Sequence, residues 1–326
     1  MRIGFVGLGN LGSMLAGSLG RNGFDLAVRD LDETRARPLV EQGALWADSP
    51  RALAARCDVV ITCLPSPAAS AEVMEASDGI LAGLRPGTVW LEMSTTDAAE
   101  VTRLAGRVAE AGAAAADCPV TGGVHRAATG NISIFFGGDR NVFERVLPLL
   151  RAMGRHILHT GPLGSASTLK VMTNYLATAN LLTLCEALVT MKAAGMDLAT
   201  TYEAIRISSG NSFVHETESQ VILNGSRDIH FSMDLVLKDI GLFQSIAERH
   251  GVPLEISPLM IDIFRDGQRR YGERANSDDI VRRLEEATGL SVTAQGFPAD
   301  IMDEEPEGPG HEVVPPGSGT GSAQSR

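Results

Sequence analysis

The chain has 326 residues, of which 44% are hydrophobic and 21% charged, with a formal net charge of −12. That length suits two domains with cores of their own, and the composition excludes a disordered or fibrous protein. The acidic balance, without any basic patch, argues against a nucleic-acid partner.

The first 150 residues alternate short apolar runs with amphipathic helical patterns, which predicts a parallel sheet wrapped by helices. The runs "RIGFVG", "DLAVRD", "DVVITCLP", "TVWLEMS", "AAADCPV", "NISIFFGG" and "RHILHTG" read as strands. "DETRARPLVEQGA" and "DAAEVTRLAGRVAEAG" read as helices, the first with Asp32 or its neighbour as N-cap. The apolar N-terminus has the look of a signal peptide, but its glycines fall where a strand-to-helix turn wants them, and no cleavage site follows an aliphatic run.

After Gly164 the texture changes. Ser165 to about Ala194 predicts one helix, about 45 Å long, with apolar residues on almost every face. Its uncharged stretch, Val171 to Cys185, is shorter than the roughly 20 residues a membrane span needs, so a helix buried in protein is expected and no membrane segment. From there to about Leu290 helical patterns dominate. Beyond "QGFP" the chain is acidic and rich in Pro, Gly and Ser. Asp300, Asp303, Glu304, Glu305, Glu307 and Glu312 face only Arg326, which predicts disorder.

Four scattered cysteines, Cys57, Cys63, Cys118 and Cys185, form no C-x-x-C pair and read as reduced thiols of a cytoplasmic protein. His156 and His159 sit in a strand-like stretch with no carboxylate nearby in sequence, so no metal site is expected.

Gly7-Leu8-Gly9-Asn10-Leu11-Gly12 has the G-x-G-x-x-G spacing, follows a strand and opens a helix, with Asp30 at the end of the next strand. In that context Gly7 allows the tight turn, Gly9 the close approach of a pyrophosphate, and Gly12 the packing of helix on strand. The helix N-terminus offers free N–H groups to the phosphates. A carboxylate at Asp30 suits the two ribose hydroxyls of NAD and repels the 2′-phosphate of NADP, although Arg29 beside it leaves NADP possible.

Lys170 and Asn174 are four residues apart, hence on one helix face. A lysine there either reaches out to solvent or, desolvated, has its pKa lowered into the range of acid–base work.

At this point the sequence resembles the β-hydroxyacid dehydrogenases, a family that includes 3-hydroxyisobutyrate dehydrogenase. The resemblance covers about residues 2 to 290. It rests on "GFVGLGNLGSMLAGSL", "DCPVTGGVHRAATGNISIFFGG", "GSASTLKVMTN", "SSGNS" and "LVLKDIGL", in that order. It implies an N-terminal Rossmann domain with a doubly wound parallel sheet (1–163), then an interdomain helix leading into an all-α C-terminal domain (164–294), with the disordered acidic tail at 295–326. It also implies Lys170 as general acid/base, with Asn174 orienting the substrate. Thr121, Gly122 and Gly123 would take the substrate carboxylate, with Ser209 and Asn211 on the substrate side. Thr95 and Lys238 would meet the nicotinamide end, and Leu64 and Pro65 the adenosine side.

The implied reaction is NAD-dependent interconversion of a small 3-hydroxy acid and its semialdehyde, by a homodimer or homotetramer. Two alternatives are an imine reductase, a class that usually lacks this lysine, and a dinucleotide-binding interaction protein without turnover. Thr121 replaces the family's usual serine, Thr173 its first asparagine, and Arg126 its usual glycine. Arg126, next to His125, is therefore a candidate for a second anionic group on the substrate.

Overall fold

The structure, a computed structural model, describes residues 1–316. The chain begins with β1 (Arg2–Val6), α1 (Asn10–Arg21), β2 (Asp25–Arg29), α2 (Arg37–Glu41), β3 (Leu45–Trp46), α3 (Pro50–Ala54), β4 (Val59–Thr62) and α4 (Pro67–Glu75). It continues through β5 (Val89–Glu92), α5 (Ala98–Glu110), β6 (Ala114–Asp117), β7 (Val120–Thr121), α6 (Gly123–Ala128), β8 (Ile132–Gly137), α7 (Arg140–Met153) and β9 (Gly154–Gly161). Then come the long α8 (Ser165–Ala193), α9 (Leu198–Arg206), α10 (Phe213–Asn224), α11 (Met233–Arg249), α12 (Ile256–Tyr271), α13 (Arg282–Thr288) and a last short strand, β10 (His311–Glu312).

The strands form one sheet in the order β10-β9-β8-β6-β5-β4-β1-β2-β3, with β7 paired to β8. From β3 to β6 every pairing is parallel. The sheet reverses at β8, which runs antiparallel to β6, and β9 and β10 follow β8 in direction. Both faces are covered, because alternate side chains of a strand point to opposite sides. Ile3, Phe5, Val59, Ile61, Val89 and Leu91 enter the core under α1 and α7. Val6, Val60 and Trp90 enter the opposite core with Leu53, Met74 and Leu104.

The second half has its own core. Leu181, Leu184 and Leu188 of α8 pack with Ile222, Val236, Ile240, Met260 and Phe264. By length and composition α8 could cross a membrane, but it lies against β6, β8, β9 and α9 to α13 and links the sheet to the helical domain. The helix expected at "DETRARPLVEQGA" is split: a 3-10 turn, Glu33–Ala36, capped by Asp32, precedes α2.

The tail departs from expectation. Residues 295–316 were expected to be disordered, yet β10 adds to the free edge of β9 in parallel register, His311 opposite His156. Carboxylates that look purely solvating in sequence find bases on the first domain: Glu305 meets Arg155, Glu307 meets Arg21 and Glu312 meets Arg140. Backbone pairing and ion pairs replace the missing apolar contacts. The expectation for 317–326 lies outside the described residues.

Candidate active site

The glycine turn is built as its spacing requires. Gly7 has φ +96°, and a Cβ on it would lie 2.3 Å from the Cys63 carbonyl oxygen. A Cβ on Gly12 would lie 2.0 Å from the Gly7 carbonyl oxygen, so α1 sits on β1 at a distance only glycine permits. Gly9 is the N-cap of α1 and Asn10 its first residue. No side chain caps this end, and its first turn carries no acidic group. Free N–H groups and a positive helix end at a bare glycine surface fit a pyrophosphate.

Asp30 closes the turn from the next strand. One carboxylate oxygen accepts from the Leu8 N–H at 2.6 Å and the other from the Asp32 N–H at 2.9 Å. Each oxygen keeps acceptor capacity for a ribose hydroxyl. Arg29 is engaged elsewhere, its guanidinium 4.8 Å from the centre of the Trp46 ring, and Leu31 is 98% exposed. Arg35 comes nearer, its Nη1 3.6 Å from the position of a Gly9 Cβ. Leu64 and Pro65 follow β4. The Leu64 N–H donates to Ser94 Oγ at 2.7 Å, and Ser94 donates to the buried Glu92, tying the loops after β4 and β5 together. Burial raises the Glu92 pKa.

Asp117, at the end of β6, fixes the start of α8. It accepts from the Gly164 N–H at 2.8 Å and the Ser167 N–H at 2.6 Å, and burial raises its pKa. One turn further lies Lys170, 6% exposed. Its Nζ donates to Asn174 Oδ1 at 2.6 Å, and Asn174 Nδ2 donates to Asp239 Oδ2 on α11. Asp239 is 2% exposed, and Lys238 Nζ lies 3.1 Å from its Oδ1 while donating to the Thr95 carbonyl at 2.7 Å. Burial lowers the Lys170 pKa to about 8; Asp239 opposes that shift and Lys238 adds to it. A buried amine that titrates near neutrality and is held by a directional acceptor can give or take a proton.

Thus Lys170, Asn174, Lys238 and Thr95 are joined in one network, and the glycine turn with Asp30 in another. Asp239 joins the first network and Asp117 pins the start of the helix that carries it, although the sequence reading passed over both. The signal for Asp239 was its place beside Lys238 in an apolar helical pattern.

Thr121 ends β7, and Gly122 and Gly123 both have positive φ, +124° and +89°. The following α6 carries His125 and Arg126 against Phe213 of the helical domain. The Arg126 guanidinium lies 5.0 Å from the Phe213 ring centre, and no ion pair engages it among the described residues. His125 stacks on the same ring, and burial lowers its pKa. Ser209 is exposed in the turn before α10, and Asn211 donates to Glu216. No hydrogen bond joins either to the Lys170 network among the described residues.

Residues 2–161 match the family model for the NAD binding domain of 6-phosphogluconate dehydrogenase. Residues 164–284 match the model described as "NAD-binding of NADP-dependent 3-hydroxyisobutyrate dehydrogenase". The chain is similar to 2-(hydroxymethyl)glutarate dehydrogenase of Eubacterium barkeri, 32% identical over 90% of this chain and 98% of that one. It is also similar to the NAD-dependent L-serine dehydrogenase of Pseudomonas aeruginosa, 34% identical over 88% and 98%. Among solved structures, 3-hydroxyisobutyrate dehydrogenase from Salmonella typhimurium superposes with a TM-score of 0.79 at 25% identity, covering 87% of this chain and 99% of that one.

Proposed function

Because this chain belongs to the β-hydroxyacid dehydrogenase family and is an NAD(P)-dependent hydroxyacid dehydrogenase, we propose that it interconverts a small 3-hydroxy acid and its semialdehyde with NAD. One observation carries the reading: a buried lysine with a lowered pKa, hydrogen-bonded to Asn174, on a helix pinned to the dinucleotide-binding sheet. That lysine also favours alcohol oxidation over imine reduction.

The nicotinamide, when bound, supplies the hydride acceptor; the chain's own residues handle alignment and the proton. Neutral Lys170 takes the proton of the hydroxyl oxygen as that oxygen becomes a carbonyl, and in reverse the ammonium returns it. Asn174 holds the amine in place, and Asp239 holds Asn174. Thr121 with the backbone of Gly122 and Gly123 receives the substrate carboxylate. Lys238 braces the Thr95 loop at the nicotinamide end. Asp30 takes the ribose diol and repels a 2′-phosphate, and Arg29 is stacked on Trp46.

Arg126 extends the reading to the substrate's far end. It forms no ion pair within 4 Å among the described residues, its charge acting on Asp303 of the tail, and on the loop assigned to the carboxylate a guanidinium binds a second carboxylate with direction as well as strength. The similarity to a dehydrogenase named for a dicarboxylate points the same way. The enzyme works as a homodimer or homotetramer in the cytoplasm, in keeping with its four free cysteines.

The test is a panel of mono- and dianionic 3-hydroxy acids, each with NAD and NADP, followed at the nicotinamide absorbance. Turnover with NAD, highest on a dianion, is expected. Preference for NADP, or no turnover on any hydroxy acid, overturns the reading.

A further inference from the structure

The acidic tail reaches the substrate loop from behind. It leaves the helical domain where the Phe297 and Ala299 carbonyls accept from Asn224 Nδ2 at 2.8 Å and Ser226 Oγ at 2.6 Å. A few residues later it has crossed to the sheet domain. There Asp303 Oδ2 accepts from Thr129 Oγ1, and from Asn131 Nδ2 at 2.8 Å. Asn131 is fully buried, and the same Nδ2 also meets the Glu305 carbonyl at 2.7 Å. From this point the tail is anchored by Arg155 on Glu305 at 3.1 Å, by β10 on β9, and by Gly310. A Cβ on Gly310 would lie 1.9 Å from the Gly154 carbonyl oxygen.

Thr129 and Asn131 are the far end of the substrate loop. Thr129 is the C-cap of α6, and its hydroxyl turns back toward the Arg126 carbonyl at 3.2 Å. The Asn131 N–H donates to that same carbonyl at 2.8 Å. A helix of six residues does not hold its own geometry in water. Its N-cap, Gly122, and its first residue, Gly123, both have positive φ, the most permissive backbone available. Its outer side is held by α1, where Ser18 Oγ donates to the Ala127 carbonyl at 3.2 Å and Arg21 Nη2 to the Ala128 carbonyl at 2.6 Å, and the turn that closes it is the end that Asp303 grips.

We propose that Asp303 is a positioning residue for substrate binding: through Thr129 and Asn131 it steadies α6, and with it the placement of the Gly122–Gly123 backbone and Arg126, while Thr121 is held by the pairing of β7 with β8. The inference rests on the reading that the 121–126 loop receives the hydroxy acid. It adds a residue from a segment beyond both regions matched by the family models, the second of which ends at residue 284.

The test compares Asp303→Ala, Asp303→Asn and Glu312→Gln in the full chain, with 3-hydroxyisobutyrate as the probe and amide hydrogen exchange as a second readout. Asp303→Ala loses two hydrogen bonds from the loop to a charged group, and a third from the Glu305 N–H within the tail. KM for the hydroxy acid should rise about tenfold while kcat and KM for NAD stay put, and amides 124–131 should exchange faster. Asp303→Asn, which keeps an acceptor, should recover part of both effects. Glu312→Gln, which touches the strap away from α6, should leave KM at its wild-type value. Unchanged exchange at 124–131 in Asp303→Ala overturns the grip itself. Faster exchange with an unchanged KM overturns its role in substrate binding. Wild-type protein that turns over no hydroxy acid counts against the proposed function alone, because the exchange measurement still decides whether Asp303 holds the loop.

Discussion

Lys170 Nζ and Asn174 Oδ1 lie 2.6 Å apart, one turn along α8, with the amine almost sealed from water. Hydroxyl oxidation needs that amine neutral and carbonyl reduction needs it charged. The oxidation rate should therefore rise as pH increases through about 8, and the reduction rate should fall over the same range. Lys170→Ala should lower kcat by about 10²- to 10⁴-fold and remove that titration, while NAD affinity measured by fluorescence stays constant.

Asp239 raises the Lys170 pKa by its charge and orients Asn174 by accepting its amide. Asp239→Asn should move the limb of the oxidation profile to lower pH and reduce kcat. A limb that stays in place would separate Asp239 from the lysine.

Asp30 clamps the Leu8 N–H of the glycine turn, and on the proposed function it also takes the ribose diol. Asp30→Ala should weaken NAD about tenfold and narrow its advantage over NADP. Asp30→Asn, which can still accept from Leu8, should keep more of the NAD affinity. Titration of each variant with both cofactors distinguishes the clamp from the ribose contact.

Arg126→Ala should raise KM for 2-(hydroxymethyl)glutarate about tenfold or more and leave KM for 3-hydroxyisobutyrate nearly unchanged, because only the dianion loses a bidentate partner. Equal losses on both would assign Arg126 to loop packing on Phe213.

The helical domain holds a paired acid of its own. Glu218 of α10 and Asp278, in the 3-10 turn Ser277–Val281, lie carboxyl to carboxyl, and burial raises both pKa values above the usual carboxylate range. The folded state thus retains protons that the unfolded chain releases above about pH 4. Stability contributed by these protons should be present below that pH and be lost as pH rises toward and through the folded pKa values. Glu218→Gln should flatten that decline and raise the thermal midpoint above pH 7 by a few degrees, on the order expected for about 1 kcal/mol. Calorimetry from pH 5 to 8 measures it.

The glycine turn was legible because its conformation restricts which residues fit. Gly7 and Gly12 each face a backbone carbonyl oxygen at a distance no other residue tolerates. Helical spacing placed Lys170 and Asn174 on one face, but only the family resemblance told a catalytic lysine from one reaching out to solvent. The reversal of the sheet at β8 was not, since periodicity marks a strand without its direction. Asp117 and Asp303 were hidden for a similar reason. Each acts on a partner 47 to 174 residues away, and nothing near either one in sequence reveals the contact. Nor does local composition report that a sheet edge will be waiting for the tail.

β10 gives the molecule a particular order of completion. Its residues 311–312 pair with 156–157, so the first domain's sheet is finished by nearly the last of the described chain. At ~5–20 residues per second, the intervening stretch takes roughly ten to thirty seconds to synthesise. Throughout that interval the β9 edge presents unpaired N–H and C=O groups to any neighbouring nascent chain. The same short strand that steadies the mature protein therefore sets how long each new copy stays open to pairing with the wrong partner.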